Sequence, residues 1–587
     1  MPDISTQFNG SQIILPGAYT AVDVNGTLTS VSTNVPPVIY VGYGYGQKPF
    51  SAVTYASAQA LSNALRGGPA ATYVQEMFTP SGAINGAALV TFINASQNTQ
   101  STATLTYGSS PVTTAVTMTS ANYGLPSNQL QYTVTAGSVG GIELELYDGY
   151  SGKALVKDNL GVPFQIAYLG AGTVTYTVTA TALTITSTVT TESVTITFGA
   201  GGYTLVSDAV NYLNGTGNFI ASVLSNASLP LTSLDYVAGV SLPVPTSGVP
   251  NYVSVTAYIG DTVWWLNNQA STLIGSATTA VTAGASHPIN LTPTTHFTGA
   301  TSVPPTTGNY ATALNAALAI PGWVLFIDSN TPAVQALGAQ HVITASSTGY
   351  RRPRRYVTGS SAGDSLAVTL SNAKSLAAKQ VAYCYPGIYV TNTTTGVNTL
   401  QGGLYWAAGV AGAMAGNPVN MPLTYKTWTG NGVETQLDIG DINTLQNSGV
   451  LVLYVDDYTG VPTTASDVST WQADTNPSNI FLQQVGIDQY LQYVVQQATQ
   501  PYTGTVASDF DATRIRKALI AALNAQVISA NNQNGVLNSW DATSLTLTYN
   551  EQIQATMISF QCVPVGQNRF VLTTIFVEPL NYSTSTS

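Results

Sequence analysis

The chain of 587 residues has little charge: 15 Lys and Arg against 26 Asp and Glu, so 7% of its side chains are ionised. A soluble protein ordinarily carries about 25%. The net charge of −11 disfavours nucleic-acid binding through a broad basic face, which needs many Lys and Arg. Two cysteines, Cys384 and Cys562, cannot build a disulfide framework, and with three histidines they make no metal-ligand spacing. Both sit in apolar runs, the usual setting of a buried free thiol. No cofactor is expected. The longest near-apolar run, Leu404 to Gly416, falls short of the ~20 residues of a membrane span and is closed by Pro418, so no membrane insertion is expected. Met1 to Ser5 has neither a basic nor an apolar region, so no secretory signal is expected, and synthesis is placed in a reducing cytoplasm.

The apolar fraction, 44%, is ordinary, and the balance is neutral and polar, with 53 Gly and 33 Tyr. Disordered chains are charge-rich and apolar-poor. A folded chain of three or more domains is therefore expected at this length. Monomers in solution use charge to stay apart. A subunit inside a dense assembly can instead satisfy its surface with neutral hydrogen bonds to its neighbours. Secreted β-rich surface proteins share this composition.

The sequence reads as multidomain α+β. Residues 1–20 form an N-terminal arm, with the apolar patch Ile13, Ile14 and Leu15 ended by Pro16-Gly17. Residues 21–93 begin a core: Val38 to Gly42 reads as a buried strand and Ser57 to Leu65 as a helix. Over 94–200, Thr and Ser alternate with Val and Ile, as in Thr173 to Val178, which predicts an inserted antiparallel β-sandwich or barrel. Residues 201–475 read as a linker helix, Leu205 to Leu213, followed by an α/β core. Its strands are Trp323 to Ile327, Gln380 to Tyr385 and Val450 to Val455, with a helix over Thr331 to Leu337. Their unbroken apolar runs fit a sheet covered on both faces. Residues 476–567 form a C-terminal α+β domain, in which Ile487, Tyr490, Leu491, Val494 and Val495 line one helix face. A second helix follows behind Asp511 as N-cap. Residues 568–587 hold a last strand, Arg569 to Val577, that can act as an exchangeable arm.

No catalytic constellation emerges. Gly359-Ser360-Ser361-Ala362-Gly363 matches the G-x-S-x-G elbow, whose base follows the serine in sequence. The last histidine, His341, precedes it, and the motif reads as a loop capping the next helix. Gly42, Gly44 and Gly46 lack the ending of a phosphate loop and read as a close-approach loop between subunits or strands. His287, His296 and His341 read as structural. Adjacent Asp456 and Asp457 would point to opposite faces of a strand, and Glu143 and Glu145 share a face without a cleft. Arg351, Arg352, Arg354 and Arg355 concentrate positive charge in a charge-poor chain. They read as an electrostatic contact to an acidic partner or neighbouring copy, or as a solvated loop.

The order of segments carries more information than any one motif. Pro16-Gly17-Ala18-Tyr19 followed by Val38 to Gly42 resembles the opening of contractile-tail bacteriophage sheath proteins, departing from their usual valine at Ala18. Ala311 to Ile327, the arginine-rich Tyr350 to Tyr356 and the strand ending Pro386-Gly387 continue in the family's order. So do the small-residue helix Ala407 to Gly412, the element Met421 to Lys426 and the step Ile442 to Leu453. The resemblance implies a structural, non-enzymatic subunit of a virion tail, made in the bacterial host cytoplasm. Its implied partners are copies of itself in hexameric rings and helices, the tail tube protein, and baseplate and tail terminator proteins. It further implies inter-subunit arms that donate strands, carried by Ile13, Ile14, Leu15 and Tyr19 at one end and Phe570, Leu572, Ile575 and Val577 at the other. A β-rich adhesin, a hydrolase on the α/β core and the sheath of a non-phage contractile injection system are the competing readings.

Overall fold

The computed structural model describes residues 6–8, 11–13, 37–188, 190–199, 201–347, 349–392, 395–457, 459–567 and 569. Its centre is an eight-stranded mixed sheet. The strands are β1 (Val38–Gly42), β2 (Ala52–Tyr55), β3 (Val90–Asn94), β4 (Val324–Ile327), β5 (Arg355–Gly359), β6 (Val381–Tyr385), β7 (Val450–Val455) and β8 (Pro462–Thr464), in the spatial order β8-β7-β6-β5-β4-β1-β3-β2. Six are parallel, and β2 and β8 close the edges antiparallel. The parallel strands read as continuous apolar runs because both faces are covered. Side chains alternate between those faces. Val38, Tyr40, Phe92, Phe326 and Leu451 meet helices α1 (Ala58–Leu65), α2 (Ala71–Phe78) and α6 (Gly403–Gly416). Ile39, Val41, Leu325, Tyr383 and Val452 meet α3 (Thr307–Ala317), α4 (Pro332–Ala345), α5 (Leu366–Leu376) and α7 (Ile439–Asn447).

Helix α6 has no polar face. From Leu404 to Ala415 all but Tyr405 are buried, as a helix caught between a sheet and another helix must be. Its glycines let α2 come close: a Cβ on Gly412 would stand 2.1 Å from the Met77 carbonyl oxygen. No helix among the described residues is long and apolar enough to cross a membrane.

After β3 the chain leaves the sheet and returns only at α3. The excursion extends well past residue 200 and is two nested antiparallel modules. The outer one uses strands from Gln100 to Leu160, then the helix Tyr258–Asn268 and strands Ile274–Thr278 and Thr292–His296. The inner one, within 164–255, packs two sheets around Phe164, Tyr168, Tyr176 and Phe219. The expected linker helix is Val206–Gly215, and it buries Val206, Ala209 and Leu213 in the inner module instead of leading back to the core. Residues 206–296 thus belong to the insertion and not to the α/β core. His296 lies on a strand and His341 inside α4.

Two helices and a hairpin follow the sheet: α8 (Leu482–Thr499), α9 (Asp509–Asn524), β9 (Leu537–Asn550) and β10 (Ala555–Pro564). Ser508, not Asp511, caps α9, its hydroxyl accepting the Asp511 amide. Leu491, Leu519, Leu523, Leu537 and Leu545 form a small core between helices and hairpin.

Candidate assembly interface

The glycine-rich loop after β1 is the saddle on which the insertion sits. Gly44 and Gly46 admit Leu65 and the Ala64 carbonyl at distances a Cβ would close, so the close approach is within the chain. Asn94 and Asn98 donate side-chain amide hydrogens to the Gly44 carbonyl at 2.9 and 2.7 Å. The outgoing and returning strands meet there, Thr99 and Thr301 bonding backbone to backbone at 3.1 Å. A buried Arg66–Asp148 ion pair pins the insertion to α1, with the guanidinium 5.0 Å from the Tyr150 ring. Burial opposes ionisation of Asp148, but hydrogen bonds from Arg66 and Ser151 outweigh it and hold the carboxyl below the ordinary range.

In open α/β sheets, ligands enter where the strand order reverses. Here that point lies between β1 and β4, and it is filled. Asp328, at the end of β4, accepts the Tyr43 amide at 2.6 Å and the Tyr310 hydroxyl at 2.8 Å. Burial pushes its carboxyl up to about 6. The Gly359–Gly363 loop follows β5, and Ser365 caps α5. Ser360 is buried, whereas His341 lies beside Arg354, at the opposite end of β5. Serine and histidine are thus separated by a strand length of about 17 Å. A cavity of about 300 Å³ next to this loop is lined by Asp364, Tyr385, Glu434 and Asp441. Among the described residues no group of three His, Cys, Asp or Glu could hold a metal ion. Neither cysteine is in a disulfide; Cys384 is buried and Cys562 half-buried, and burial makes both thiols weaker acids, pushing Cys562 up to about 12.

The arginine cluster corrects the reading of residues 351–355 as a surface contact or solvated loop. Arg354 is fully buried; it donates to the Ala317 and Ile320 carbonyls at 3.2 and 2.9 Å and to His341 Nε2 at 2.8 Å. Arg352 donates to the Leu318 carbonyl at 2.8 Å. Together they bind carbonyls at and just past the end of α3, where a helix favours positive charge; the Ala317 carbonyl also accepts the Ile320 amide at 3.1 Å. Burial and the Arg354 charge hold His341 neutral, down at about 3. Arg355 is also buried, and it reaches α8 by donating to the Leu482 carbonyl at 3.4 Å. Gly486 leaves room for that guanidinium, and Gln489 donates to the Arg354 carbonyl at 3.0 Å. Arg352, Arg354 and Arg355 are therefore internal scaffolding between α3, β5 and α8. Sequence carries no sign of this, because a buried arginine and an exposed one are spelled alike.

The β9–β10 hairpin is a two-stranded sheet. One face is held by Trp540, Leu545, Ile558 and Phe560 against α8 and α9, while Tyr549, Met557 and Val563 are exposed. Of the predicted arm residues, Ile13 closes a short hairpin, pairing with Thr6 between strands Thr6–Phe8 and Ser11–Ile13. Ile14, Leu15, Tyr19, Phe570, Leu572, Ile575 and Val577 lie outside the described residues.

No family model matches the sequence. The tail sheath protein of Bacillus phage SP01 is 24% identical over 465 residues, which cover 76% of each chain. The similarity is thus to a phage tail sheath protein, across three quarters of both chains. Solved sheath tail proteins share the fold of this chain over nearly the whole length. That of Listeria innocua superimposes with a TM-score of 0.56 at 13% identity, covering 92% of this chain and 94% of its own. That of Desulfitobacterium hafniense gives 0.53 at 11% identity, covering 93% and 96%. The likeness of fold therefore extends across the nested modules as well as the central sheet.

Proposed function

We propose that the chain is the structural subunit of a contractile tail sheath, polymerising around a tail tube and contracting to drive it through a host envelope. The observation that carries this reading is the alignment with a tail sheath protein across three quarters of both chains. A modest free-energy difference per subunit, multiplied over a cooperative array, powers such a device. Its subunits must slide without separating, and added strands supply directional main-chain hydrogen bonds that survive rigid-body rotation. The β9–β10 hairpin is the proposed acceptor. Two strands alone are marginally stable, and an open edge is a template for another chain. Its donors are the arms around Ile13 to Leu15 and Phe570 to Val577 of neighbouring copies. Hexameric rings, a tube protein, a baseplate and a terminator complete the proposed assembly in a virion tail.

Negative-stain microscopy of the purified chain tests this, with tubes or rings expected. Deleting residues 1–20 is expected to leave a soluble monomer. Normal tubes from the truncated chain would remove the arm model.

A further inference from the structure

Where α8 meets the central sheet, three side chains from three segments converge on a cavity of about 10 Å³. Arg355 comes from the start of β5, Asp467 from the segment after β8, and Gln483 from the first turn of α8. All three are at least nine-tenths buried. Each has one end committed. Arg355 Nη1 donates to the Leu482 carbonyl, Asp467 Oδ2 accepts the Gln483 amide at 3.0 Å, and Gln483 Nε2 donates to the Asn420 carbonyl. The other ends, Arg355 Nε, Asp467 Oδ1 and Gln483 Oε1, make no hydrogen bond of good geometry to a protein group, although the Leu423 amide also faces the Asp467 carboxyl. These are one donor and two acceptors around a space the size of a single water, which needs about 10–15 Å³ and two to four polar partners.

We propose that this cavity binds one water molecule as a permanent part of the fold. The water accepts from Arg355 Nε–H and donates its two hydrogens to Asp467 Oδ1 and Gln483 Oε1, so all three orphaned atoms are satisfied at once. A cation is disfavoured by the inward N–H of Arg355, and an anion by the Asp467 carboxylate. The site joins the core sheet to the C-terminal unit at the root of the C-terminal arm. There Gln484 donates to the Val565 carbonyl at 2.8 Å, Thr424 donates to Gln567 Oε1 at 2.7 Å, and Arg569 lies 4.9 Å from the Phe481 ring. Holding residues 481–484 in place therefore also holds Val565 and Arg569. This inference does not depend on the sheath reading.

The first test is an experimental structure of the full chain at a resolution that shows ordered water. One density peak within hydrogen-bond distance of all three atoms is expected. A dry cavity, an ion in its place, or the three side chains turned to pair directly would overturn the proposal. The second test is hydrogen exchange at the first turn of α8 in Arg355→Met, Gln483→Met and the double variant. Each single change should speed exchange by about tenfold, the effect of orphaning a buried polar group. Arg355 and Gln483 share no direct bond; they couple through the water and through the Leu482 carbonyl that Arg355 also holds, so the exchange result is read together with the density. The double variant should therefore exchange more slowly than the product of the two effects. Multiplicative effects would overturn the bridge, and if the variants do not fold, the wild-type structure alone decides.

Discussion

Replacing Gly412 by alanine separates helix propensity from packing, because the two act with opposite sign. In an isolated helix the change stabilises by about 1 kcal/mol. In α6 the added Cβ would stand 2.1 Å from the Met77 carbonyl oxygen and 2.8 Å from its carbon. Ordinary van der Waals separation then requires α2 to retreat by roughly 1 Å. That oxygen already accepts the Ala87 amide at 2.8 Å, so retreat strains a buried hydrogen bond as well. Overpacking of this kind costs about 1–3 kcal/mol, and loosening the hydrogen bond adds about 1 kcal/mol. A net loss of about 2 kcal/mol is expected. Gly409, one turn earlier on the same helix, is the internal control. Its Cβ would meet Pro80 at 3.3 Å and Trp428 at 3.5 Å, so Gly409→Ala should be within about 1 kcal/mol of neutral. Urea unfolding of unpolymerised protein measures both, as a shift in midpoint at constant slope. Equal midpoints for the two variants would refute the claim that backbone contact sets the spacing of α2 and α6.

Two further expectations follow from the charge distribution. Burial raises the carboxyls of Glu76 and Asp488 to about 7 and those of Asp328 and Asp467 to about 6. Between pH 4 and 7 the folded state therefore holds protons that the unfolded chain has released. Stability is full below the unfolded values and falls as pH rises through the folded ones, by about 1.4 kcal/mol per group per pH unit at most. Carboxyls lowered by hydrogen bonds, such as Asp148, act below that window, and His341, held down at about 3, opposes the fall as one group against four. The urea midpoint should thus fall from pH 5 to 8, with a shallower fall in Asp488→Asn; a flat or rising profile contradicts this. With 7% charged residues, cohesion between subunits is expected to resist screening. Light scattering of assembled sheath should change little in moderate salt, and dissociation there would overturn the premise.

The central sheet was legible because strands buried on both faces must be apolar at every position, as Val38 to Val41 and Val450 to Leu453 are. Helix α8 was legible because one face carries its periodic apolar residues. The extent of the insertion was not, because its later strands, such as Thr292–His296, are short, exposed and polar. Nesting also divides the outer module between residues 100–160 and 258–296, so no continuous stretch marks it. Arg354 and Arg355 misled for a different reason: apart from His341, the groups they bond are main-chain carbonyls, which every residue has. Asp328, Glu76 and the Arg355–Asp467–Gln483 cavity leave no local pattern, since each is made by segments far apart in the chain.

The neck at Thr99 and Thr301 brings the two ends of a two-hundred-residue excursion side by side. A graft whose entry and exit coincide asks only that its own termini be close. Lobes joined through such a neck can be trimmed, traded or enlarged while the eight-stranded sheet beneath them keeps its form.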